Sequence, residues 1–318
     1  SWMFLSSYED LRKWLFENNN LQTMSHNGRG VFGSDFGSCA FTFQKAPILN
    51  YKGAYKRLFE KQGSVASNEA LDEIFKLSKC FYTSVNDFKK IPSSPVAYWA
   101  SEKVREIFVN SKSIESLASP KQGSTIGDNE RFLRRWTEVT YPFSTLWKPS
   151  LKGGDFRRWY GNISYVVNWG DNGNEIKSTG RSTIRNSNYL FKKGIEWSRI
   201  SSAQSSFRLL NTGFFHESAS GVAFPKDSDL FPILLFLNSK ITKYFLALLN
   251  PTMTFQSGDI ARLPFIEGSN AEKGRKLVAI AKYDWDSYET SWDFTQNPII
   301  RTQQPNLEQA FNSWQQQN

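Results

Sequence analysis

Histidine and cysteine are almost missing from this chain of 318 residues, which has only His26, His216, Cys39 and Cys80. So few ligands exclude any zinc spacing, and two distant histidines exclude a readable catalytic triad. Two cysteines are no disulfide framework and point to a reducing compartment. No two prolines stand side by side, no P-loop lysine motif occurs, and spacing brings no carboxylate pair together. Long apolar runs are missing too. Residues 2–5 are too short for a signal sequence, and the most apolar stretch, 230–249, is broken by Pro232, Asn238, Lys240 and Lys243. A bilayer span needs about twenty nearly uncharged residues. A soluble, cytoplasmic protein with no membrane partner is predicted.

Positive charge and aromatic rings are abundant. Lys+Arg 39 against Asp+Glu 30 leaves a formal net charge of +9, which favours a polyanionic partner. The 11 Trp and 26 Phe supply a sizeable core for two or three domains and argue against disorder. Both features meet in L-K-G-G-D-F-R-R-W-Y-G-N-I-S-Y-V-V-N-W-G, residues 151–170. Arginine forks match phosphate oxygens and guanine edges, and flat rings stack on bases. Taken alone, the same residues describe more readily a structural hairpin whose arginines stack on aromatics or pair with Asp155. If the run leads into a strand, Arg158, Tyr160 and Asn162 share one face and Arg157 and Trp159 the other. A bend at Gly161 would return Arg157 to the first face, leaving Trp159 inward as an anchor. Tyr165, Val166 and Val167 read as a buried strand.

Along the chain, Ser6 or Ser7 caps a helix with Leu11, Trp14 and Leu15 on one face. Residues 21–32 and 37–45 read as two strands around a glycine-rich connection. Gly28, Gly30 and Gly33 spell G-x-G-x-x-G, but a dinucleotide fingerprint opens a helix and this one runs into strand-like Cys39–Phe43. Helices are expected over 51–62, 67–76 (capped by Ser67 or Asn68) and 101–109. The proline-broken segment 87–100 reads as a domain junction. Asp128 or Asn129 caps a short helix bearing Arg131, Arg134 and Arg135, beside a glycine turn with free N–H groups for an anion; a solvated basic helix is the plainer reading. Residues 230–249 read as two helices hinged at Asn238-Ser239, and further helices are expected over 271–281 and from 307. Both ends look cut, as in a portion of a longer protein.

Several segments then resemble one family. F-L-S-S-Y-E-D-L-R (4–12), S-H-N-G-R-G-V-F (25–32) and I-P-S-S-P-V-A-Y-W (91–99) look like the end of a DNA adenine methyltransferase domain. G-D-N-E-R-F-L-R-R-W (127–136), F-R-R-W-Y-G-N (156–162), L-N-P-T-M-T-F-Q-S-G-D-I (249–260) and D-W-D-S-Y-E-T-S-W-D-F (284–294) resemble its target-recognition half. Together, over nearly the whole chain, they are similar to the PglX adenine-specific methyltransferases of BREX phage defence and to related single-chain type II restriction-modification enzymes.

That resemblance implies an α+β chain: the C-terminal end of a Rossmann-like methyltransferase sheet (1–100), a linker (101–122), a mixed α/β target-recognition domain (123–268) and a C-terminal helical segment (269–318). It implies methyl transfer from S-adenosylmethionine to N6 of an adenine flipped out of double-stranded DNA. The glycine-rich cofactor loop and the N-P-P-Y tetrapeptide of that chemistry are not in this sequence, so no catalytic or cofactor residue is carried over. The expected DNA contacts are Arg131, Arg134, Arg135, Lys152, Arg157, Arg158, Tyr160, Asn162, Arg181, Arg185, Lys192, Lys193 and Arg199, with other BREX proteins as further partners. The alternative is a stand-alone, non-catalytic DNA- or protein-binding module. RNA-binding signatures are not found.

Overall fold

The architecture comes from a computed structural model that describes residues 2–33, 36–59, 67–201, 204–268 and 270–317. The chain divides into two compact units, one of residues 1–111 with 245–251 and one of residues 112–244 with 252–318.

The first unit holds α1 (Glu9–Asn18), β1 (Asn20–Arg29), β2 (Gly37–Gln44), β3 (Lys52–Arg57), α2 (Asn68–Leu77), β4 (Cys80–Ser84), α3 (Val85–Phe88) and α4 (Glu102–Asn110). Its sheet runs β2-β1-β3-β4, with β1 antiparallel to β2, parallel to β3, and β3 antiparallel to β4. The expected glycine-bent hairpin is therefore present, with Gly28, Gly30 and Gly33 all at positive φ. Ser67 and Ser101 cap α2 and α4 through N–H bonds from Ala70 and Val104. Phe16, Leu21, Met24, Tyr55, Phe88 and Tyr98 form the core. Ile91, Val96 and Ala97, from the proline-broken segment, are also buried.

Three expectations fail here. The helix predicted over 51–62 is strand β3 as far as it is described, and residues 60–66 lie outside the described part. Gly53 and Tyr55 point to the buried side with period two, and a Cβ at Gly53 would sit 2.1 Å from the Leu21 carbonyl oxygen. Of the expected face of α1 only Leu15 packs against the core: Leu11 and Trp14 are exposed, and Arg12 and Phe16 are the buried residues. Arg12 wins the inner face because its guanidinium donates to the carbonyls of Trp2 (2.6 Å), Leu5 (2.8 Å) and Ser93 (2.7 and 3.0 Å). Neither Ser6 nor Ser7 caps α1; both lie in a short 3-10 turn before it.

The second unit begins with α5 (Ile114–Ala118), β5 (Lys121–Gln122), α6 (Asn129–Phe132), β6 (Leu133–Arg135), β7 (Trp147–Leu151), β8 (Tyr165–Asn168) and α7 (Gly170–Ser178). It continues through β9 (Gly194–Ser198), β10 (Phe207–Leu210), β11 (Phe215–His216), β12 (Ser220–Ala223) and α8 (Leu230–Leu237). After α9 (Lys240–Leu249), whose second half belongs to the first unit, come α10 (Ser257–Ala261), α11 (Ala271–Asp286), α12 (Pro298–Arg301) and α13 (Leu307–Gln317). Two four-stranded sheets result, ordered β10-β9-β12-β5 and β11-β7-β8-β6. Helices α8 and α9 bend by 69° at the predicted break, and no single described helix is long and apolar enough to cross a membrane.

The first of these sheets is built around a buried ion pair. Glu196 and Arg208 face each other across β9 and β10 and are 2% and 0% exposed. Arg208 Nε donates to Glu196 Oε1, and Nη2 to Glu196 Oε2 (3.0 Å) and Ser198 Oγ (3.0 Å). Nη1 donates to Ser206 Oγ (3.1 Å) and the Arg157 carbonyl (2.9 Å). All five guanidinium N–H groups are thereby used. Trp197 lies on Gly221 of β12, where a Cβ would meet its ring at 2.2 Å, and its indole N–H reaches the Phe255 carbonyl (2.9 Å).

Two predictions follow from these cores. Glu196→Gln leaves a buried guanidinium charge uncompensated and should cost about 3–5 kcal/mol in denaturant unfolding, whereas the double change Glu196→Leu/Arg208→Met should cost clearly less. In the first unit, His26 sits among Phe4, Phe59 and Tyr98, with Nδ1 3.3 Å from the Tyr98 hydroxyl. Burial, then the Arg57 cation, lowers its pKa from 6.5 to about 4. The folded state binds this proton less readily than the unfolded one. Its contribution to stability is therefore full above pH 6.5 and is lost as pH falls towards about 4. The ring's NMR resonances should titrate near the lower value, and His26→Gln should flatten the stability slope between the two.

Candidate nucleic-acid interface

The aromatic–arginine stretch leaves β7 at Leu151 and returns in β8 at Tyr165, and the residues between are loop rather than strand. Gly153, Gly154, Trp159, Gly161 and Asn162 all have positive φ, so neighbouring side chains do not alternate as strand geometry requires. The expected sharing of one face by Arg158, Tyr160 and Asn162 is corrected accordingly. Tyr160 is 5% exposed and lies beneath the Lys282 ammonium, 5.2 Å from its ring centroid. Asn162 Nδ2 donates to the Asp155 carbonyl (2.8 Å), closing the loop on itself.

Arg157 is held on every side. Its Nε donates to the Tyr160 carbonyl (3.0 Å), its Nη2 pairs with Asp284, and its guanidinium stacks 5.0 Å from the Trp285 ring centroid. The carboxylate partner is thus Asp284 of α11 and not Asp155. Arg158 stacks on Phe156 (5.3 Å) and reaches Gln204 at 3.5 Å. Trp159 is anchored through its backbone: its N–H donates to the Phe207 carbonyl (2.9 Å) and its carbonyl accepts from Leu209 (2.8 Å). Its half-buried ring borders a cavity of about 490 Å³ between α11, α12 and α13, with Leu277, Ile280, Tyr283 and Ile299.

A second basic group gathers on β6 and the segments beside it. Asp128 caps α6 through the Arg131 N–H (3.0 Å), but the helix stops at Phe132, and Arg134 and Arg135 are strand residues opposite Val166 and Tyr165. The helix bearing all three arginines is corrected to one turn followed by a strand. Arg131 pairs with Glu175, and Arg134 Nη1 donates to the carbonyls of Glu130 and Leu133 (2.5 and 2.8 Å). Thr125 bridges Thr183, Arg185 Nη1 lies 3.4 Å from Thr125 Oγ1, and Gly127 packs on the backbone of Arg181. The 124–127 and 181–185 segments therefore bring Arg131, Arg181 and Arg185 to the same edge. Arg135 and Arg181 are exposed.

A third group lies where β7, β9 and β12 end. Lys152 and Arg199 border a cavity of about 360 Å³ with Gly153, Gly154, Ser198 and Glu217. Lys192 is exposed beside Tyr189, and Lys193 pairs with Asp227 at 3.5 Å.

Sequence reading missed Arg208, Glu196, Asp284, Trp285 and Lys282. For the first two a signal existed: one charge apiece in the short apolar strands G-I-E-W-S and F-R-L-L. Lys282 donates to Asp286 (2.5 Å) and Asp293 (2.9 Å). Burial disfavours its charge, but these two carboxylates outweigh burial and raise its pKa. No group of three or more metal-ligating side chains occurs among the described residues.

No family model matches the sequence. The chain is 35% identical over 312 residues to the adenine-specific methyltransferase BrxX of Escherichia coli O9:H4 (strain HS), covering 94% of this chain and 26% of that protein. It is also 35% identical over 354 residues to the adenine-specific methyltransferase PglX of Lacticaseibacillus casei (strain Zhang), covering 99% and 29%. Among solved structures, the type IIL restriction-modification enzyme MmeI in complex with DNA shares the fold at TM-score 0.51 and 11% identity, over 96% of this chain and 44% of MmeI. The chain spans about a quarter of the length of the curated relatives it matches, and over that span it is homologous to the BrxX/PglX adenine-specific methyltransferases of BREX systems.

Proposed function

We propose that this chain is the DNA-recognition portion of a site-specific adenine-N6 methyltransferase of a phage-defence system. It would bind duplex DNA and present a flipped adenine to a catalytic half encoded upstream. The observation that carries the reading is homology to two adenine-specific methyltransferases over 94–99% of a chain in which no N-P-P-Y occurs. The β2-β1-β3-β4 sheet suits the closing strands of a methyltransferase domain (1–100), with 101–122 as linker. Residues 123–268 would be the target-recognition domain, and 269–318 the helical segment that braces its loops. S-adenosylmethionine would be the parent enzyme's cofactor, bound outside this chain, and other BREX proteins its further partners.

Within this reading the candidate contacts separate by their surroundings. Arg135, Arg181 and Lys192 are exposed and have no carboxylate partner among the described residues, so they suit the phosphate backbone, whereas Arg131 is paired with Glu175 and Arg134 and Arg185 are engaged by neighbouring carbonyl and hydroxyl oxygens. Arg158 and Asn162 are half-buried in the 152–164 loop, one stacked on Phe156 and the other bonded to the Asp155 carbonyl, and are the candidates for base reading. Arg157 and Tyr160 act instead as struts that hold the loop's shape.

Two measurements test the proposal. Duplex binding by the chain should weaken by about a thousandfold between 50 and 200 mM salt if about six phosphates are contacted; salt-independent affinity, or no binding at low salt, would sink the reading. Radiolabelled methyl transfer from S-adenosylmethionine to DNA should not exceed background with this chain alone. Transfer by the chain alone would place the chemistry in residues other than those of the resemblance.

A further inference from the structure

We propose that the cavity where the 152–154, 198–200 and 217–219 segments meet is a phosphate site, with Lys152 and Arg199 as its two cations. The inference deepens the DNA-binding reading and rests on it. The shared ligand chemistry is a phosphate oxyanion, carried by a DNA phosphodiester or by free phosphate.

The argument begins with what the charges in this cavity do. Glu217 is 5% exposed and is its one lining carboxylate. Both of its oxygens are engaged by neutral donors: Oε1 by the Ser218 hydroxyl (2.7 Å) and Oε2 by the Ala219 N–H (2.8 Å). Lys152 Nζ forms a long ion pair with Oε2 at 3.8 Å, so Glu217 holds the ammonium at the cavity and offsets one of its two positive charges. Arg199 has no carboxylate partner among the described residues. Its Nη1 donates to the Ser218 carbonyl (3.0 Å), and its Nε is enclosed with no acceptor. Two cations thus share one carboxylate, which leaves an excess of one positive charge at the cavity.

The backbone around them is fixed from outside. Gly153 N–H donates to Ser220 Oγ (2.8 Å), and Ser198 Oγ donates to the Gly154 carbonyl (3.0 Å) while accepting from Arg208. Arg199 is held by its N–H to the Ala219 carbonyl (2.9 Å) and by its carbonyl to the Phe255 N–H (2.7 Å). The backbone that carries both cations is therefore held on rigid strand ends, and the Arg199 guanidinium is further fixed on the Ser218 carbonyl, which lowers the entropy lost on binding. A volume of about 360 Å³ exceeds a bare phosphate and admits a sugar-phosphate unit.

The test has two arms on the full chain, wild type against Lys152→Ala, Arg199→Ala, the double variant Lys152→Ala/Arg199→Ala and the charge-conserving Arg199→Lys. In the first, phosphate is exchanged for chloride at constant ionic strength and the melting temperature is followed. A phosphate-dependent rise in wild type that disappears in both alanine variants is expected, since a ligand of the folded state stabilises it. In the second, duplex affinity is measured against salt. Each alanine variant should lower the slope by about one, the double variant no further than a single one, because both side chains serve the same phosphate. A variant whose melting temperature in chloride falls is replaced in the comparison by Arg199→Lys, which should retain the salt slope but bind phosphate more weakly. Wild-type slopes in every alanine variant, with DNA still bound, would overturn the site and leave the DNA-recognition reading standing. No DNA binding by wild type, with phosphate stabilisation intact, would overturn that reading and assign the site to free phosphate. Phosphate stabilisation equal in wild type and variants marks an adventitious ion only and ends the proposal.

Discussion

The Arg208–Glu196 pair is the constraint on which the second unit turns. A buried ion pair is poor evidence for stability, because desolvating both charges offsets most of their attraction. It is strong evidence for geometry, since each donor must find an acceptor or the whole desolvation cost remains. Arg208 meets that demand by collecting acceptors from β9, from the turn before β10 and from the backbone of Arg157. The loop most exposed to suspicion as a ligand contact is thereby registered against the sheet from its inner side. The adjacent Trp159 backbone then pairs with β10 as a fragment of a further strand.

The outer side of that loop is closed by α11 and the segment after it. Asp284 and Trp285 hold the Arg157 side chain, and Lys282 covers Tyr160 while tied to Asp286 and Asp293. Further along, the Trp136 indole reaches the Thr290 carbonyl (2.9 Å), and Trp292 packs on Phe143 and Phe214. The tryptophan-rich run 284–294 thus works as an interior brace. Its aromatic density, which in the sequence matches that of a stacking surface, is spent on packing.

Much of the local structure was legible because its causes are local. Serine caps, the glycine connection between β1 and β2, the strand at 165–168 and the break at Asn238 each depend on residues within a few positions. Asn238 illustrates the limit: the break is readable, but its side chain exchanges two hydrogen bonds with the backbone of Phe207, 31 residues away. β3 was misread because its lysines, arginine and alanine carry helix propensity, and only the contact of Gly53 with β1 reveals a strand. Arg12 escaped because an arginine on an apolar helix face is ordinarily solvated; three backbone carbonyl groups made it a core residue. The fates of the candidate arginines depend on distant partners, as with Arg157 and Asp284, 127 positions apart.

This difference bears on how charge should be counted in a basic protein. A guanidinium already paired with a carboxylate presents a dipole rather than a charge to an approaching polyanion, and it releases few counterions on contact. Arg208, Arg157 and Arg131 are paired in this way, with Glu196, Asp284 and Glu175. The formal excess of +9 is therefore not spread evenly over the sites where arginine is dense. Among the cations without a carboxylate partner in the described residues are Arg135 and Arg181 beside β6, Lys192 beside Tyr189, and Arg199 just after β9, whereas Lys152 shares Glu217. The sequence sets Arg157 and Arg158 side by side in the 156–162 loop, but pairing with Asp284 in the fold takes the first of them out of the usable charge. The loop is left with Arg158, stacked on Phe156 and reaching Gln204, as its arginine without a carboxylate partner among the described residues, beside an Arg157 that Asp284 and Trp285 hold in place.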